Sequence, residues 1–403
     1  MNVTQTEKKY ILQTYKRQPL VFKRASGKYL WDERGKRYLD FFTGISVCNL
    51  GHSNPAVVSA AEKQLRLMTH VSNHYYIPVQ VELAKLLIEK SFKKGKVFFS
   101  NSGAEANECA IKLARTRGNS IRKGKNEIIV FENSFHGRTL ATLAATGQKK
   151  FHKGFEPLPP GFKYAKFNDI KSVERLAGRQ TCAIMVEPVL GEGGIYPADK
   201  NFLKGLRILC NRFNALLIFD EIQCGMGRTG KLFAYQYYNV EPDIITMAKS
   251  IANGLPLGVT LVRKKYEKVM TYGDHGSTFG GNPVSCAAAI STIKLIDDKM
   301  LSHVTEMGNY FRGKLDCLQS DYPEIIKEVR QIGLMAGLEL QEKSKLTGGD
   351  IVLECAKKGL IINCTQQKIL RFLPPFSVNS RNIDPVLKTL REAIVALQGD
   401  WIP

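Results

Sequence analysis

Lys249 stands where a charged side chain is costly. It directly follows the largely apolar run Ile244-Ile245-Thr246-Met247-Ala248, and an ammonium at the end of a buried strand is expensive unless something uses or pairs it. Partial desolvation lowers an amine's pKa, which suits a lysine that attacks a carbonyl and holds it as a Schiff base. Other strand-sized apolar runs end on equally suggestive residues. Leu216-Leu217-Ile218-Phe219 is followed by Asp220-Glu221-Ile222-Gln223. The Asp220 carboxylate can hold a protonated ring nitrogen, and the Gln223 amide can bond a phenolic oxygen. Val97-Phe98-Phe99 leads into Ser100-Asn101-Ser102-Gly103-Ala104-Glu105. Small residues at a strand-to-helix turn offer backbone N–H groups to an anion such as phosphate. The same residues read as a helix cap, with Ser102 as N-cap and Glu105 completing a capping box.

Three further strand ends carry weaker signals. Phe135-His136-Gly137-Arg138 follows Ile128-Ile129-Val130-Phe131; an aromatic there can stack on a flat ring or simply join the core, and Arg138 can grip a carboxylate. Glu187-Pro188 and the acidic glycine loop Gly191-Glu192-Gly193-Gly194 follow Ile184-Met185-Val186 and read equally as a turn. Gly225-Met226-Gly227-Arg228-Thr229-Gly230 matches the dinucleotide-binding spacing. Asp220 to Cys224 separate it from the strand, however, whereas that fingerprint needs its first glycine in the turn itself. His70 and His74 have the spacing of a metal pair but lack the glutamate of a zinc-protease motif and do not sit in a helical pattern. No metal site is expected.

These residues need a frame that brings strand ends together. Helical stretches (Ala84 to Lys90, Glu105 to Arg117, Asn201 to Asn214) alternate with the apolar runs Lys96 to Phe99, Glu127 to Phe131, Cys182 to Val186, Leu216 to Phe219 and Ile244 to Met247. That alternation predicts an α/β fold with a buried, largely parallel sheet, in which ligands bind beyond the carboxyl ends of the strands. After Lys299 the pattern changes to a long helix and a few strands, Leu334 to Leu340 the clearest. We expect a large domain over 59–300 and a smaller α+β domain over 301–403, completed by the N-terminal segment 1–58.

The bulk composition narrows the function class. At 403 residues the chain can bury a large core. No apolar run is long enough to span a bilayer, and the polar start Met1 to Lys9 has no secretory h-region. Nine scattered cysteines without a Cys-x-x-Cys pair fit a reducing cytoplasm rather than a disulfide framework. The net charge of +21 invites a nucleic-acid or acidic-protein partner. The lysines are spread along the chain without interleaved aromatics, so a basic solvated surface is expected, with no nucleic-acid or membrane partner.

Seven ordered segments resemble the class III (ornithine-type) pyridoxal-phosphate aminotransferases. They are Ser100 to Arg115, Ser134 to Thr139, Glu187 to Gly194, Leu217 to Gly230, Thr246 to Gly258, His275 to Pro283 and Leu370 to Pro375. The resemblance implies a fold-type-I transferase that uses pyridoxal 5′-phosphate and acts as a homodimer. It also implies roles. Lys249 would carry the cofactor and move protons, and Asp220 would keep the ring nitrogen protonated. Gln223 would touch the ring's phenolic oxygen, and Phe135 would stack on the ring. Ser102, Gly103 and Ala104 would bind the phosphate; the family often has Thr where this chain has Ala104, so one hydroxyl contact is missing. Thr278 would reach the neighbouring subunit's cofactor phosphate, and Ser277 would contact substrate. Arg138 would hold a substrate carboxylate. Arg371 would bind the α-carboxylate of 2-oxoglutarate, with Glu192 masking it while the amine donor is bound. Ornithine-specific members usually carry a tyrosine in the loop matching Phe42 to His52, which here has no aromatic in its middle. That points to an N-acylated donor such as N2-acetylornithine. Free ornithine, succinylated diamines, 4-aminobutyrate and, outside catalysis, a basic binding protein that retains the fold are the alternatives.

Overall fold

The structure, a computed structural model, describes residues 2–399. Three short strands come first: β1 (Phe22–Ser26), β2 (Tyr29–Asp32) and β3 (Arg37–Asp40). The central stretch contributes β4 (Gly95–Ser100), β5 (Glu127–Phe131), β6 (Phe162–Ala165), β7 (Thr181–Val186), the hairpin β8 (Val189–Leu190) and β9 (Tyr196–Pro197), then β10 (Leu216–Asp220), β11 (Ile244–Met247) and β12 (Gly258–Arg263). The C-terminal part adds β13 (Ile326–Ile332), β14 (Met335–Leu340), β15 (Leu360–Ile361), β16 (Asn363–Thr365) and β17 (Ile369–Phe372).

Seven strands form the main sheet in the order β4-β12-β11-β10-β7-β5-β6. β12 is antiparallel to both neighbours, while β11, β10, β7, β5 and β6 pair in parallel. Alternate residues of the strands feed two separate cores. Ile128, Val130, Met185, Ile218 and Ile244 pack with Ala110, Leu113 and Ala114 of the helix Gly103–Ile121. Ile129, Phe131, Val186, Phe219 and Met247 face the other way, into a larger core. A sheet covered on both faces needs apolar residues at every position, which explains the continuous runs in the sequence.

The five expected strands are all present, as is the one expected over Leu334 to Leu340. Two others in the main sheet had no clear signal. β6 lies at the sheet edge and is only partly buried. β12 returns antiparallel after the short excursion that holds Lys249, so no helix separates it from β11.

A second four-stranded sheet, β13-β14-β17-β16, packs against the long helix Asp298–Asp321. The first strands join the far end of the chain: β3 pairs in parallel with β15, so the sheet β1-β2-β3-β15 unites residues 22–40 with 360–361. Among the described residues no helix is long and apolar enough to cross a membrane.

Candidate active site

The strand ends converge on one cavity of about 420 Å³. Its walls include Ser102, Gly103 and Ala104 after β4, Phe135 and Arg138 after β5, Glu187 after β7, Asp220 and Gln223 at the end of β10, and Lys249 after β11. Eight residues given roles from the sequence therefore meet at the ends of four strands, and Glu187 joins them from a fifth. Four others, Ser277, Thr278, Glu192 and Arg371, do not line this cavity in the isolated chain. Ser277 sits just behind it, its Oγ accepting from Asn101 Nδ2 at 3.1 Å. Thr278 is exposed. Glu192 reaches the site through Arg371, as described below.

At the β4 end, Ser102 caps the helix Gly103–Ile121, its Oγ accepting from the Glu105 N–H at 3.2 Å. The expected capping box is only half right. The Glu105 carboxylate reaches past Ser102 to Asn101, accepting from its backbone N–H and, at 3.2 Å, from its Nδ2. The first-turn N–H groups of Gly103 and Ala104 have no partner within the helix and, together with the helix dipole, favour an anion.

Asp220 is buried and fixed from three sides. Its Oδ2 accepts from Asn107 Nδ2 at 2.8 Å and lies 2.7 Å from His136 Nδ1, and its Oδ1 accepts from the Ile222 N–H at 3.1 Å. Asn107 is locked in turn, its Oδ1 accepting from Thr246 Oγ1 at 2.7 Å. The sequence reading missed Asn107. Its one signal was a polar residue among Ala106, Cys109 and Ala110 on the buried face of a helix.

Lys249 occupies a left-handed backbone conformation with φ of +47°. Such a conformation costs a non-glycine residue on the order of 1 kcal/mol and persists only where its surroundings enforce it. Burial lowers its amine pKa below that of an ordinary lysine. Glu192 opposes that shift, Arg371 adds to it, and Asp220 and Glu187 oppose it from farther off.

Arg371, on β17, is 2% exposed. Its Nη1 donates to Glu192 Oε1 at 2.6 Å and to Gln223 Oε1 at 3.3 Å, while Nε and Nη2 hold Asn363 Oδ1 at 3.2 and 2.7 Å. Burial alone would raise the Glu192 carboxyl, yet Arg371, with Lys249 behind it, holds it below the usual range. Gly191 is required here for space: a methyl group on it would lie 2.5 Å from the Gln223 amide.

Glu187, read from the sequence as part of a turn, is buried in the cavity wall. Its Oε1 accepts from the Phe135 N–H at 2.9 Å and its Oε2 from the Gly191 N–H at 3.1 Å. Phe135 packs edge-on against Phe151, and the Arg138 guanidinium lies 4.0 Å from the centre of the Phe151 ring.

The dinucleotide-like glycine pattern serves a different purpose. It turns the chain around Arg228, fully buried, whose Nε donates to Ser46 Oγ at 3.0 Å and whose Nη1 donates to the carbonyls of Leu334 at 2.9 Å and Pro374 at 2.6 Å; its Nη2 bonds Asn49. His70 packs on the Phe279 ring at 5.5 Å.

The profile of the aminotransferase class-III family matches residues 10–394. The chain is a class-III aminotransferase. It is 49% identical to the acetylornithine aminotransferase of Methanocaldococcus jannaschii over 97% of its own length and 98% of the relative's. It is 48% identical to the acetylornithine aminotransferase of Aquifex aeolicus, with coverage of 96% and 100%. Among solved structures it superposes on the ornithine aminotransferase of Toxoplasma gondii with a TM-score of 0.92 at 30% identity, covering 98% of this chain and 95% of that one. The acetylornithine aminotransferase of Elizabethkingia anophelis gives a TM-score of 0.86 at 30% identity, with 98% of each chain covered.

Class III implies pyridoxal 5′-phosphate, and the residues of this aminotransferase fit that group. A fixed buried carboxylate, a desolvated amine, a buried amide and an open helix N-terminus border one cavity, with the Phe135 ring in its wall. These are the donors and acceptors that a pyridine nitrogen, an aldehyde, a phenolic oxygen and a phosphate each require.

Proposed function

We propose that this aminotransferase moves the terminal amino group of N2-acetyl-L-ornithine to 2-oxoglutarate, giving N-acetyl-L-glutamate 5-semialdehyde and L-glutamate, as a step of arginine biosynthesis. The observation that carries the reading is the buried Arg371–Glu192 pair beside Lys249, taken together with acetylornithine aminotransferase relatives that match nearly the whole chain.

Pyridoxal 5′-phosphate, when bound, supplies an electron sink for negative charge at the donor carbon. The chain supplies the rest. Asp220, held by Asn107 and His136, keeps a proton on the ring nitrogen. Gln223 bonds the phenolic oxygen, Phe135 covers the ring, and Ser102 with the Gly103 and Ala104 N–H groups takes the phosphate. Lys249 would hold the cofactor, and its Nζ would carry the proton lost from the donor carbon to the cofactor's C4′ carbon. With an amine donor in place, Glu192 masks Arg371. A keto acid carries a carboxylate of its own, which displaces Glu192 and takes the guanidinium. One site can thus serve two unlike substrates in a ping-pong sequence. Arg138, exposed at the cavity wall, would grip the donor's carboxylate, with Ser277 nearby.

The stretch Phe42 to His52 favours an acylated donor. It presents Val47 to the cavity, and an apolar side chain offers no hydrogen bond to a free α-amine. The test is a panel of amine donors against 2-oxoglutarate. Acetylornithine should exceed ornithine in kcat/KM; the reverse order would favour ornithine as donor.

An exposed group of aromatic residues supports assembly as a homodimer. Tyr76 and Tyr272 are 99% and 103% exposed, with Tyr75 and Phe279 alongside. Asn73 Nδ2 donates to the carbonyls of Ser277 and Gly280, at 2.9 and 3.0 Å, which binds the two loops into one surface around Thr278. Exposed apolar side chains on such a surface favour an interface there. Thr278 would then complete the phosphate site of the partner subunit. We place the enzyme in the cytoplasm, where its nine free cysteines are compatible with a reducing environment. We also divide it into a large unit over 59–300 and a small one over 301–403 joined by 1–58.

A further inference from the structure

We infer that Glu187 is a positioning residue that couples the aromatic wall of the site to the Glu192–Arg371 gate, so that the state of its carboxylate sets how readily a dicarboxylate opens that gate. The inference rests on the gate reading above. Glu187 is bonded to two loops at once. One oxygen accepts from the N–H of Phe135, and the other from the N–H of Gly191. Gly191 adjoins Glu192, its Cα lies against the Gln223 amide, and its carbonyl accepts from Arg371 Nη1 at 3.4 Å. The gate is thus held at its root by Glu187 and at its tip by Arg371.

Two uncharged donors support the same loop from outside. Thr365 Oγ1 and Gln366 Nε2 donate to the Glu192 carbonyl at 2.6 and 3.0 Å. They fix the backbone after the gate residue, and neither can change its charge near neutral pH. Glu187 is the one root contact that can. A carboxylate accepts on both oxygens, whereas a carboxylic acid has turned one of them into a donor, and one of the two N–H groups then loses its partner. Burial raises its pKa to about 7, with His136 opposing that shift, Asp220 adding to it, and the Phe135 and Gly191 N–H bonds opposing it as well. The charged or titratable groups around Glu187 are His136, Asp220, Lys249 and the buried thiol of Cys224. Asp220 and His136 are engaged with each other.

The sign follows. Above neutrality the carboxylate anchors Gly191, and Glu192 stays on Arg371. Below it the anchor weakens and a dicarboxylate displaces Glu192 more easily. The test is calorimetric binding of glutarate, a dicarboxylate that cannot be transaminated, to the cofactor-loaded enzyme at pH 6 and pH 8. The unmodified enzyme should bind several-fold more tightly at pH 6. Glu187→Gln, which carries an amide donor where one acceptor stood, should bind at both pH values as the unmodified enzyme does at pH 6. Glu192→Gln, which weakens the gate itself, should bind tightly at both. Equal binding at the two pH values by the unmodified enzyme would overturn the coupling without any variant having to fold. A pH difference that survives in Glu187→Gln would overturn it as well. No glutarate binding at either pH would overturn the gate reading, and the coupling with it.

Discussion

In the proposed mechanism catalysis rests on a single amine. Lys249 sits on a left-handed backbone at the end of β11, with its amine desolvated and no hydrogen bond to it among the described residues. Lys249→Ala should abolish the visible absorption that the loaded enzyme acquires and reduce turnover by several orders of magnitude. A variant that keeps its colour and activity would dismiss Lys249 as the reactive amine. Arg371 is tested by its asymmetry. Arg371→Ala leaves Glu192 without its charged partner and removes the carboxylate receptor, a type of loss worth about 2–5 kcal/mol in binding. The KM for 2-oxoglutarate should therefore rise by one order of magnitude or more, while the amine half-reaction, followed in single turnovers, changes far less. Equal damage to both half-reactions would remove the exchange of Glu192 for substrate.

Secondary-structure elements explain why some of the site was legible and some was not. The strand ends could be read because each parallel strand is buried on both faces and must be apolar until it stops. The first polar residues beyond, at Ser100, Asp220 and Lys249, then stand out. Asn107, His136 and Glu187 were not assigned roles because their function is to bond other groups of the site. Asn107 lies inside a helix, and its apolar neighbours hint at burial without showing that it is aimed at Asp220. Glu221 shows the same limit. It lies next to Asp220, yet its carboxylate caps the short helix Ala234–Tyr238, accepting from the Ala234 and Tyr235 N–H groups at 2.5 and 2.8 Å. Burial raises its pKa from 4.5 to about 8, against the pull of those bonds. A folded-state pKa above the unfolded one gives stability that is complete below about pH 4.5 and lost as pH rises to about 8. Comparing melting temperatures at pH 5 and pH 8, the unmodified protein should lose more stability over this interval than Glu221→Gln. Identical slopes would mean that Glu221 is not a buried titrating group. The glycine loop around Arg228 is an element-level trap of another kind: its spacing imitates a nucleotide fingerprint while its arginine ties residues 46 and 49 to 334 and 374. Arg228→Met leaves the buried Leu334 and Pro374 carbonyls without this donor and should destabilise by at least about 1–3 kcal/mol, measured as a lowered urea midpoint.

At the scale of the whole molecule, the net charge of +21 and the aromatic patch make opposite demands on association. Like charges repel two copies, and buried aromatic area draws them together. Salt screens only the first of these. Added salt should therefore strengthen the proposed dimer, as sedimentation would show, until the apolar contact alone determines affinity. Tyr76→Glu together with Tyr272→Glu should give monomers. These monomers should also hold the cofactor more weakly, because Thr278 could no longer reach a neighbouring phosphate site; monomers with undiminished cofactor affinity would separate that patch from the site.

The lone antiparallel strand β12 begins where two working loops begin. Gly258 pairs with Ser100 of β4, and the next residue, Val259, pairs with Met247 of β11. The anion cradle and the reactive amine therefore branch from one fixed two-residue span, and no side chain fits at its first position, since a methyl on Gly258 would strike the Ser102 carbonyl at 2.2 Å. That span works as a gauge block. The spacing between the anchor for one end of a ligand and the nucleophile for the other is machined into backbone pairing, so variation can reshape every loop around the cavity and retune the choice of amine without moving the two points that any such ligand must bridge.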